Sequence, residues 1–510
     1  MNFIFHENGK LPKLAWCAVL RSGDKNMHVY HGSGVETRDR FFVEGAWNGD
    51  FEKGEFAKSC FFMGSGGSLQ ESDSNHMVIF ATPTHNMERL YTVSVRDMLY
   101  ISNSLPFILF MSDLRLDPEY LDYERDFNTM MLGTESYKRY LPLADNNKIR
   151  LHYYCNIITD DSLQIREEDK ARTGPFVSFD HYYGSLMSAL AATIKNAQSD
   201  GRKIKYGMTA TISNGYDSAA CAALARDFGC ETALTFNMPE KYADDNGEDI
   251  AQRLGYKNIV KRSADAYMTN ERLVEAEFLS SGELGSEIVF SAFENEFRGN
   301  LVFKGNYGDE FWEISRTDLN RVMRYTKAVI SETSFIEFRL RTGYIPLLPV
   351  SFGATDWPSI HRISTSEEMK PYSVGGSYDR PIPRRILETR GVDRNMFGMD
   401  KKGAGFNYRY DNLRRIRRRM APASYASFYS FYRSNKRKGL NRYIRWFQYL
   451  WQAKFVYINF ALSLLGIPER DIRIRYDALS SPGAPSYLFN WGVHEMLKRY
   501  DSSFRKGQVL

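Results

Sequence analysis

The feature that most constrains the fold is an alternation of apolar runs with helical patterns, which begins near residue 180. KIKYGMTATI is predicted to form a buried strand, and DSAACAALARDF directly after it a helix. ETALTFNM and DDNGEDIAQRLG repeat this pair, and NLVFKG is a further predicted strand. Strands that alternate with helices of this length indicate a parallel α/β sheet, whose ligands bind beyond the carboxyl ends of the strands.

The turn between the first strand and its helix reads SNGYDS, residues 213–218. A helix N-terminus presents backbone N–H groups without partners in the helix, and small residues before it let the backbone wrap an anion. The carboxylate of Asp217 repels phosphate directly, but it fits such a site if Mg²⁺ bridges it to phosphate oxygens. The turn predicts a phosphate site, and the alternative is a helix N-cap formed by Ser213 or Asp217.

This turn resembles the SGGxDS loop of the ATP-pyrophosphatase (PP-loop) families, which cleave ATP between the α- and β-phosphates. Asn214 departs from the family, which usually has Gly there. The resemblance implies a loop that binds the nucleotide, made of Ser213, Asn214, Gly215, Tyr216, Asp217 and Ser218.

A second acidic turn, LVFKGNYGDEFWE, spans residues 301–313. It is similar to the G-x-G-x-D-E segment of asparagine synthetase-like enzymes, with the second glycine displaced to Gly308. In that family the Asp of this segment helps to hold Mg²⁺-pyrophosphate, together with the Asp of the first loop. The resemblance therefore implies a metal pair of Asp217 and Asp309. The alternative is a turn that only reverses the chain.

The resemblance also places Gly305 and Asn306 in the nucleotide site. Three residues before the metal-binding Asp, the family often carries a Glu or Tyr linked to deprotonating the nucleophilic amine. This chain has Asn306 at that position, and an amide is not a base near neutral pH. Tyr307 and Glu310 are the candidates to act in its place.

The segment YDRPIPRRILETRGVDRNMFGMDKKGAGF, residues 378–406, resembles the C-terminal part of the same superfamily. There a Lys lies close to the α-phosphate and the acyl-adenylate, which implies that role for Lys402, with Lys401 next. The alternative is a solvent-facing Lys pair at a Gly-rich turn. The strand ETALTFNM is expected beside the nucleotide, so Phe236 and Asn237 are predicted to border the adenine.

Three domains are predicted: a β-rich domain over 1–175, a PP-loop synthetase domain (adenine nucleotide α-hydrolase-like) over 176–410, and a helical basic extension over 411–510. The first resembles in outline the Ntn-type glutaminase domain of asparagine synthetases. Its second residue is Asn2 where that family has a nucleophilic Cys, and an amide cannot attack glutamine. The resemblance implies a degenerate domain, as in β-lactam synthetases and lasso-peptide cyclases. GSGGS in this domain predicts a flexible turn.

Composition and charge indicate the cellular compartment and the kinds of partner to expect. The five cysteines form no CxxC pair, and none stands at zinc-ligand spacing with His, so a reducing cytoplasm is predicted. The stretch WFQYLWQAKFVYINFALSLLGI carries polar residues and predicts a buried or amphipathic helix, not a membrane span. Residues 401–450 hold fourteen Lys or Arg against a single acid, Asp411. This tract is typical of a solvated helical face, a polyanionic partner, an anionic membrane surface, or phosphate neutralisation beside a site.

With the resemblance, the sequence predicts an ATP- and Mg²⁺-dependent ligase without its own glutaminase activity. A small-molecule or peptide carboxylate is adenylated, pyrophosphate leaves, and an amine donor captures the acyl group. Three alternatives stay open: a PP-loop sulfur- or nitrogen-transfer enzyme acting on RNA, amidotransfer of free or partner-supplied ammonia to a sugar or small acid, and a non-catalytic nucleotide-binding scaffold. The absence of paired cysteines weakens the first, and Asn214 and Asn306 favour the last.

Overall fold

A computed structural model describes most of the chain, including both acidic turns. The described residues are 1–71, 76–134, 136–237, 245–282, 284–314, 335–376, 378–398, 405–409, 411–436 and 483–503.

The strands, in chain order, are β1 (Asn2–Glu7), β2 (Trp16–Arg21), β3 (Asn26–His31), β4 (Glu36–Arg38), β5 (Phe41–Trp47), β6 (Phe62–Glu71), β7 (His76–Ala81), β8 (Leu90–Val95), β9 (Met98–Ser102), β10 (Tyr140–Pro142), β11 (Lys148–His152), β12 (Cys155–Thr159), β13 (Arg166–Asp169), β14 (Gly207–Thr211), β15 (Thr232–Asn237), β16 (Asn258–Ser263), β17 (Asn300–Phe303) and β18 (Ile345–Leu347). The α-helices are α1 (Leu105–Ser112), α2 (Tyr123–Asn128), α3 (Phe179–Ala197), α4 (Tyr216–Asp227), α5 (Glu248–Arg253), α6 (Val274–Leu279), α7 (Glu294–Phe297), α8 (Gly308–Phe311), α9 (Ile336–Thr342), α10 (Trp357–Ser364), α11 (Pro381–Glu388), α12 (Leu413–Arg419), α13 (Pro422–Asn435) and α14 (Leu488–Ser503).

Two stacked sheets form the N-terminal region. A seven-stranded sheet has the order β1-β3-β2-β9-β8-β11-β10, and a six-stranded sheet has the order β13-β12-β7-β6-β5-β4. Successive side chains of a strand point to opposite faces. On β2, Trp16 packs between the sheets, 5.0 Å from the ring of Phe42 on β5, whereas the next residue, Cys17, belongs to the core beneath α1. The predicted β-rich region is confirmed.

The segment GSGGS lies inside β6, so the prediction of a flexible turn was wrong. Gly64 pairs directly with Gly45 of β5. A Cβ at Gly64 would lie 2.0 Å from the carbonyl oxygen of Glu44, so the two strands approach more closely here than a side chain would allow. The composition suggested a turn because glycine is depleted in strand interiors, where it marks close backbone approach.

A five-stranded sheet follows, in the order β16-β15-β14-β17-β18, and every pairing in it is parallel. The chain is therefore a mixed α/β protein with a parallel sheet, as predicted. Ala210 of β14 pairs with Phe303 of β17, so the carboxyl ends of these two strands lie side by side. Both acidic turns leave the sheet at this edge.

The membrane and glutaminase predictions concern the apolar stretch near the C-terminus and Asn2. The described residues contain no helix that is long and apolar enough to cross a membrane. The apolar stretch at 446–467 lies outside the described residues. Asn2 is exposed at the start of β1, the edge strand of the seven-stranded sheet.

A buried ion-pair cluster joins the stacked sheets to the parallel-sheet region. Arg339 on α9 places Nη1 2.7 Å from Glu44 Oε2 and Nε 2.6 Å from Glu88 Oε1. All three side chains are at most 5% exposed. Because removing one member would leave an uncompensated buried charge, the cluster ties the two regions together.

The C-terminal helix α14 covers another buried acid near this junction. Tyr500 stacks on Phe107 of α1 at 4.9 Å, and its hydroxyl lies 3.1 Å from Ser104 Oγ. Glu337 on α9 is 1% exposed. Burial raises the pKa of Glu337 to about 8. The group is therefore neutral in the folded protein over a range in which it is charged in the unfolded chain.

The free energy of unfolding is expected to fall as pH rises from the ordinary glutamate pKa of 4.5 to about 8. In this window the unfolded chain binds fewer protons than the native state, so Glu337 contributes up to ~1.4 kcal/mol per pH unit. Urea denaturation at a series of pH values across this range measures the effect. The free energy of unfolding should fall less steeply with pH for Glu337→Gln than for the wild type. The exposed Glu367→Gln is the control, and equal slopes for both variants would contradict the assignment.

Candidate functional site

The first loop curls back on the start of α4. Ser213 Oγ lies 2.8 Å from Ser218 Oγ, which also accepts a hydrogen bond from the N–H of Ser213 at 3.1 Å. The N–H of Gly215 donates to Ser213 Oγ at 3.2 Å. Gly215 is the N-cap of α4, and it has no side chain with which to close the cap. The N-cap position is therefore occupied by Gly215 and not by Ser213 or Asp217, the two residues of the alternative.

The second loop packs directly against the first. A Cβ at Gly305 would lie 2.3 Å from the backbone nitrogen of Ser218, and a Cβ at Gly308 would lie 1.9 Å from Cγ of Asp217. Only glycine permits this approach at both positions. The two turns, about ninety residues apart in the sequence, thus form one continuous surface, with Asp309 next to the contact point.

An arginine that the sequence reasoning missed lies between the two turns. Nη1 of Arg380 is ion-paired with Asp217 Oδ2, and its Nε lies 3.3 Å from Glu313 Oε2. Arg380 is 3% exposed and Asp217 16%. Burial alone would lower the pKa of Arg380, but Asp217 and Asp309 raise it well above its ordinary value. Both aspartates therefore act electrostatically on the same guanidinium.

The same two carboxylates act electrostatically on Tyr378. Burial raises the pKa of its phenol, and Asp217 and Asp309 raise it further while Arg380 opposes them. Among the described side chains, Asp217 and Glu313 both pair with Arg380, and Asp309 acts electrostatically on the same guanidinium. Carboxylate oxygens are the ligands that Mg²⁺ prefers. Asp217 and Asp309 are therefore of the residue type that could hold a divalent cation.

Helix α11 positions Arg380 and fastens it to the first loop. Arg380 immediately precedes Pro381, the first residue of α11. One turn later, Arg384 Nη2 donates to the hydroxyl of Tyr216 at 2.7 Å. The chain then returns to the loop, where the N–H of Gly398 donates to the carbonyl of Asn214 at 2.9 Å. Lys401 and Lys402 follow shortly afterwards, outside the described residues.

The side chain of Tyr307 anchors the second loop to Asn86. Its hydroxyl donates to Asn86 Oδ1 at 2.9 Å and accepts from the N–H of Asn86 at 3.2 Å. Its backbone has a φ of 78°, a left-handed conformation that is strained for a bulky residue and persists where surrounding contacts impose it. Tyr307 was a candidate base, but we assign it instead to positioning the turn that carries Asp309.

Tyr307→Phe is expected to lower the free energy of unfolding by about 1–3 kcal/mol, because it removes two bonds from a buried amide residue. Asn86→Ala should give a loss of similar size, and the two losses should not add in the double variant. Chemical denaturation measures all three. The exposed Tyr140→Phe is the matched control, and strictly additive losses at Tyr307 and Asn86 would contradict the coupling.

The other predicted site residues have varied environments. Asn306 is half-buried, and Glu310 is 2% exposed. Phe236 packs its ring among Phe290 and Phe293, at 5.2 and 4.9 Å, so its backbone, not its ring, is the part available to border adenine. Asn237 is exposed at the end of β15.

A further cluster with metal-ligand chemistry lies in the stacked sheets. Ligand atoms of His152, Cys155 and Glu167 all lie within 4.8 Å of one another. The sequence offered no sign of it, because the three residues do not stand at zinc-ligand spacing. Arg139 and Arg150 approach Glu167 at 2.5 and 3.0 Å. These two guanidinium charges oppose a bound cation, so we interpret the cluster as a structural ion-pair network.

No protein-family model matches this sequence, and no curated protein is similar enough to be matched to it. The two packed turns and their charged side chains are therefore the basis on which we assign a function.

Proposed function

We propose that the chain is an AMP-forming carbon–nitrogen ligase of the asparagine synthetase-like, PP-loop class. One observation carries this proposal: the two acidic turns leave adjacent parallel strands and pack so closely that Gly308 contacts the carboxylate of Asp217. Phosphate-binding turns of α/β proteins lie at this edge of the sheet, at the N-terminus of the following helix. A turn that only reversed the chain would not require glycine against a second acidic turn.

In the proposed reaction, an oxygen of the substrate carboxylate attacks the α-phosphorus of ATP and the bond to the β-phosphate oxygen breaks. An amine nitrogen then attacks the acyl carbon, AMP leaves, and the amine loses a proton. Mg²⁺, when bound, would supply positive charge to neutralise the departing diphosphate. Asp217 and Asp309 would hold this ion, and the first turn of α4 would place backbone N–H groups at the phosphates.

Arg380 has the charge to act on the same diphosphate. A planar guanidinium binds phosphate oxygens in a bidentate manner, and Arg380 is already desolvated beside the two aspartates. Lys402, followed by Lys401, is proposed from the sequence as the cation near the α-phosphate. The N-terminal sheets are proposed to be a degenerate glutaminase-like scaffold, because Asn2 supplies no nucleophile and stands exposed on an edge strand.

One observation favours the alternative of a non-catalytic nucleotide-binding scaffold. The guanidinium of Arg380 pairs with Asp217, the residue to which we assign the metal. If that pair is permanent, Arg380 replaces the divalent cation, and nucleotide binds without cleavage.

Pyrophosphate–ATP exchange over a panel of carboxylates separates the two functions. The panel includes amino acids, hydroxy acids and peptides, each with Mg²⁺ and labelled pyrophosphate. A ligase should incorporate label into ATP with one class of carboxylate and not without it. Nucleotide binding without exchange across the whole panel would support the scaffold instead.

A further inference from the structure

The short helix α12 presents nearly all of its basic side chains to solvent. Its sequence is LRRIRRR, and its inner anchor is the fully buried Ile416. Successive residues of an α-helix are separated by about 100°, so the other positions can be placed around the axis. Four exposed arginines span an arc of roughly 160° centred opposite Ile416; they are Arg414, Arg415, Arg417 and Arg418. We call these four residues the arginine face.

No acid neutralises the arginine face within the described part of the chain. None of its four members forms an ion pair there, whereas the next residue, Arg419, is paired with Asp411 at 3.1 Å. The sequence itself contains neither Asp nor Glu from Asn412 to Pro468. The face is therefore a concentrated positive surface and not one half of a salt-bridge lattice.

Its members also repel one another. Arg414 stands three and four residues before Arg417 and Arg418, and like charges at these spacings destabilise a helix. The side chain of Asn412 caps the helix by accepting from the N–H of Arg415 at 3.0 Å, which supports the helix against this repulsion. A bound polyanion would remove the repulsion, whereas solvent only screens it.

The neighbouring helix supplies an aromatic surface. α12 contacts α13, on which Tyr425 and Tyr429 stack with ring centroids 5.7 Å apart. The guanidinium of Arg433 lies 6.0 Å from the ring of Tyr429, which is 39% exposed. Exposed aromatic rings beside guanidinium groups are the usual platform on which unpaired bases stack.

We propose that the arginine face and Tyr429 form a binding surface for single-stranded nucleic acid. Guanidinium groups contact phosphates in a bidentate manner, and the tyrosine accepts a stacked base. A helix that inserts into the surface of an anionic membrane presents a wide exposed apolar face. Within the described ranges 405–409 and 411–436, Tyr429 is the sole large hydrophobic residue that is exposed, so the charge complementarity favours phosphates on a flexible strand. This inference is independent of the proposed ligase activity.

The test is fluorescence anisotropy of a labelled single-stranded RNA, with the full-length protein over a series of salt concentrations. Binding should weaken steeply with salt. Replacing all four arginines of the face with Gln should reduce the log–log salt slope by about 3, because each lost phosphate contact removes about 0.7. Tyr429→Ala should weaken binding about fivefold or more through lost stacking, and Tyr429→Phe should retain it.

A charge-matched variant provides the control. Lys25, Lys53, Lys148 and Lys195 are exposed at positions outside α12 and α13, and replacing all four with Gln changes the net charge equally. This control should bind RNA with the wild-type slope. An equal loss in both quadruple variants would overturn the proposal, since only net charge would then matter. So would absence of salt-dependent RNA binding, or cosedimentation with phosphatidylserine vesicles in place of RNA binding.

Discussion

Asp217→Asn and Asp309→Asn are each expected to lower substrate-dependent pyrophosphate–ATP exchange by at least about a hundredfold. Mutating a residue that hydrogen-bonds to a metal ligand typically lowers activity or metal affinity by about 10–100-fold, and mutating a direct ligand lowers it further. The amide keeps the size of the carboxylate but removes the charge that would hold the cation. The initial rate of label incorporation into ATP, at saturating Mg²⁺, measures the effect.

Asp227→Asn is the matched control for this experiment. Asp227 ends the same helix α4 and is ion-paired with Arg390, on a partly exposed surface. Its amide variant should exchange at the wild-type rate. Circular dichroism should show folded protein for all three variants. Normal exchange by both Asp217→Asn and Asp309→Asn would remove the metal assignment.

Arg380→Ala is expected to destabilise the protein by about 3–5 kcal/mol in the absence of divalent cations, because it removes the positive charge that pairs with buried carboxylates. Asp217 and Glu313 both lose their guanidinium partner. If these acids and Asp309 form a cation site, Mg²⁺ should restore much of the lost stability. Thermal melts with EDTA and with Mg²⁺ measure this, and the increase in Tm on adding Mg²⁺ should be larger for the variant than for the wild type.

Arg385→Ala separates this effect from a general loss of arginine. Arg385 lies on the same helix but pairs with Asp180 and Glu368 at the surface, both at 3.1 Å. Pairs with exposed acids contribute about 0–1 kcal/mol, and the Arg385 guanidinium also lies 3.9 Å from the centroid of the Phe179 ring. The control should lose less stability than Arg380→Ala and show no added response to Mg²⁺. A melt of Arg380→Ala that is indifferent to Mg²⁺ would indicate that the carboxylates do not form a cation site.

The sequence predicted where the two turns lie but not what stands between them. The turns were predictable because short apolar runs mark the strands and the residues directly after parallel strands share one edge of the sheet. Arg380 was not, because it is separated from Asp217 by 163 residues. In the sequence Arg380 is distinguished only by its place immediately before Pro381. A single sequence does not specify which acidic residues it contacts in the fold.

Side-chain environment was harder to predict than residue position. Tyr307 has the chemistry of a base, but a left-handed backbone and the contact with Asn86 give it a positioning part. Phe236 stands at the expected strand end, yet its ring packs into an aromatic cluster. Periodicity reports which face of an element is apolar, whereas these outcomes depend on contacts between residues distant in the chain.

Mn²⁺ binding tests most directly whether two aspartates from separate turns share one cation. Electron paramagnetic resonance counts free Mn²⁺ during titration of the protein in the presence of a non-hydrolysable ATP analogue. We predict one bound ion in the wild type and in Asp227→Asn, with at least about tenfold weaker affinity in both Asp217→Asn and Asp309→Asn. Wild-type affinity in either of those two variants would contradict a shared cation site.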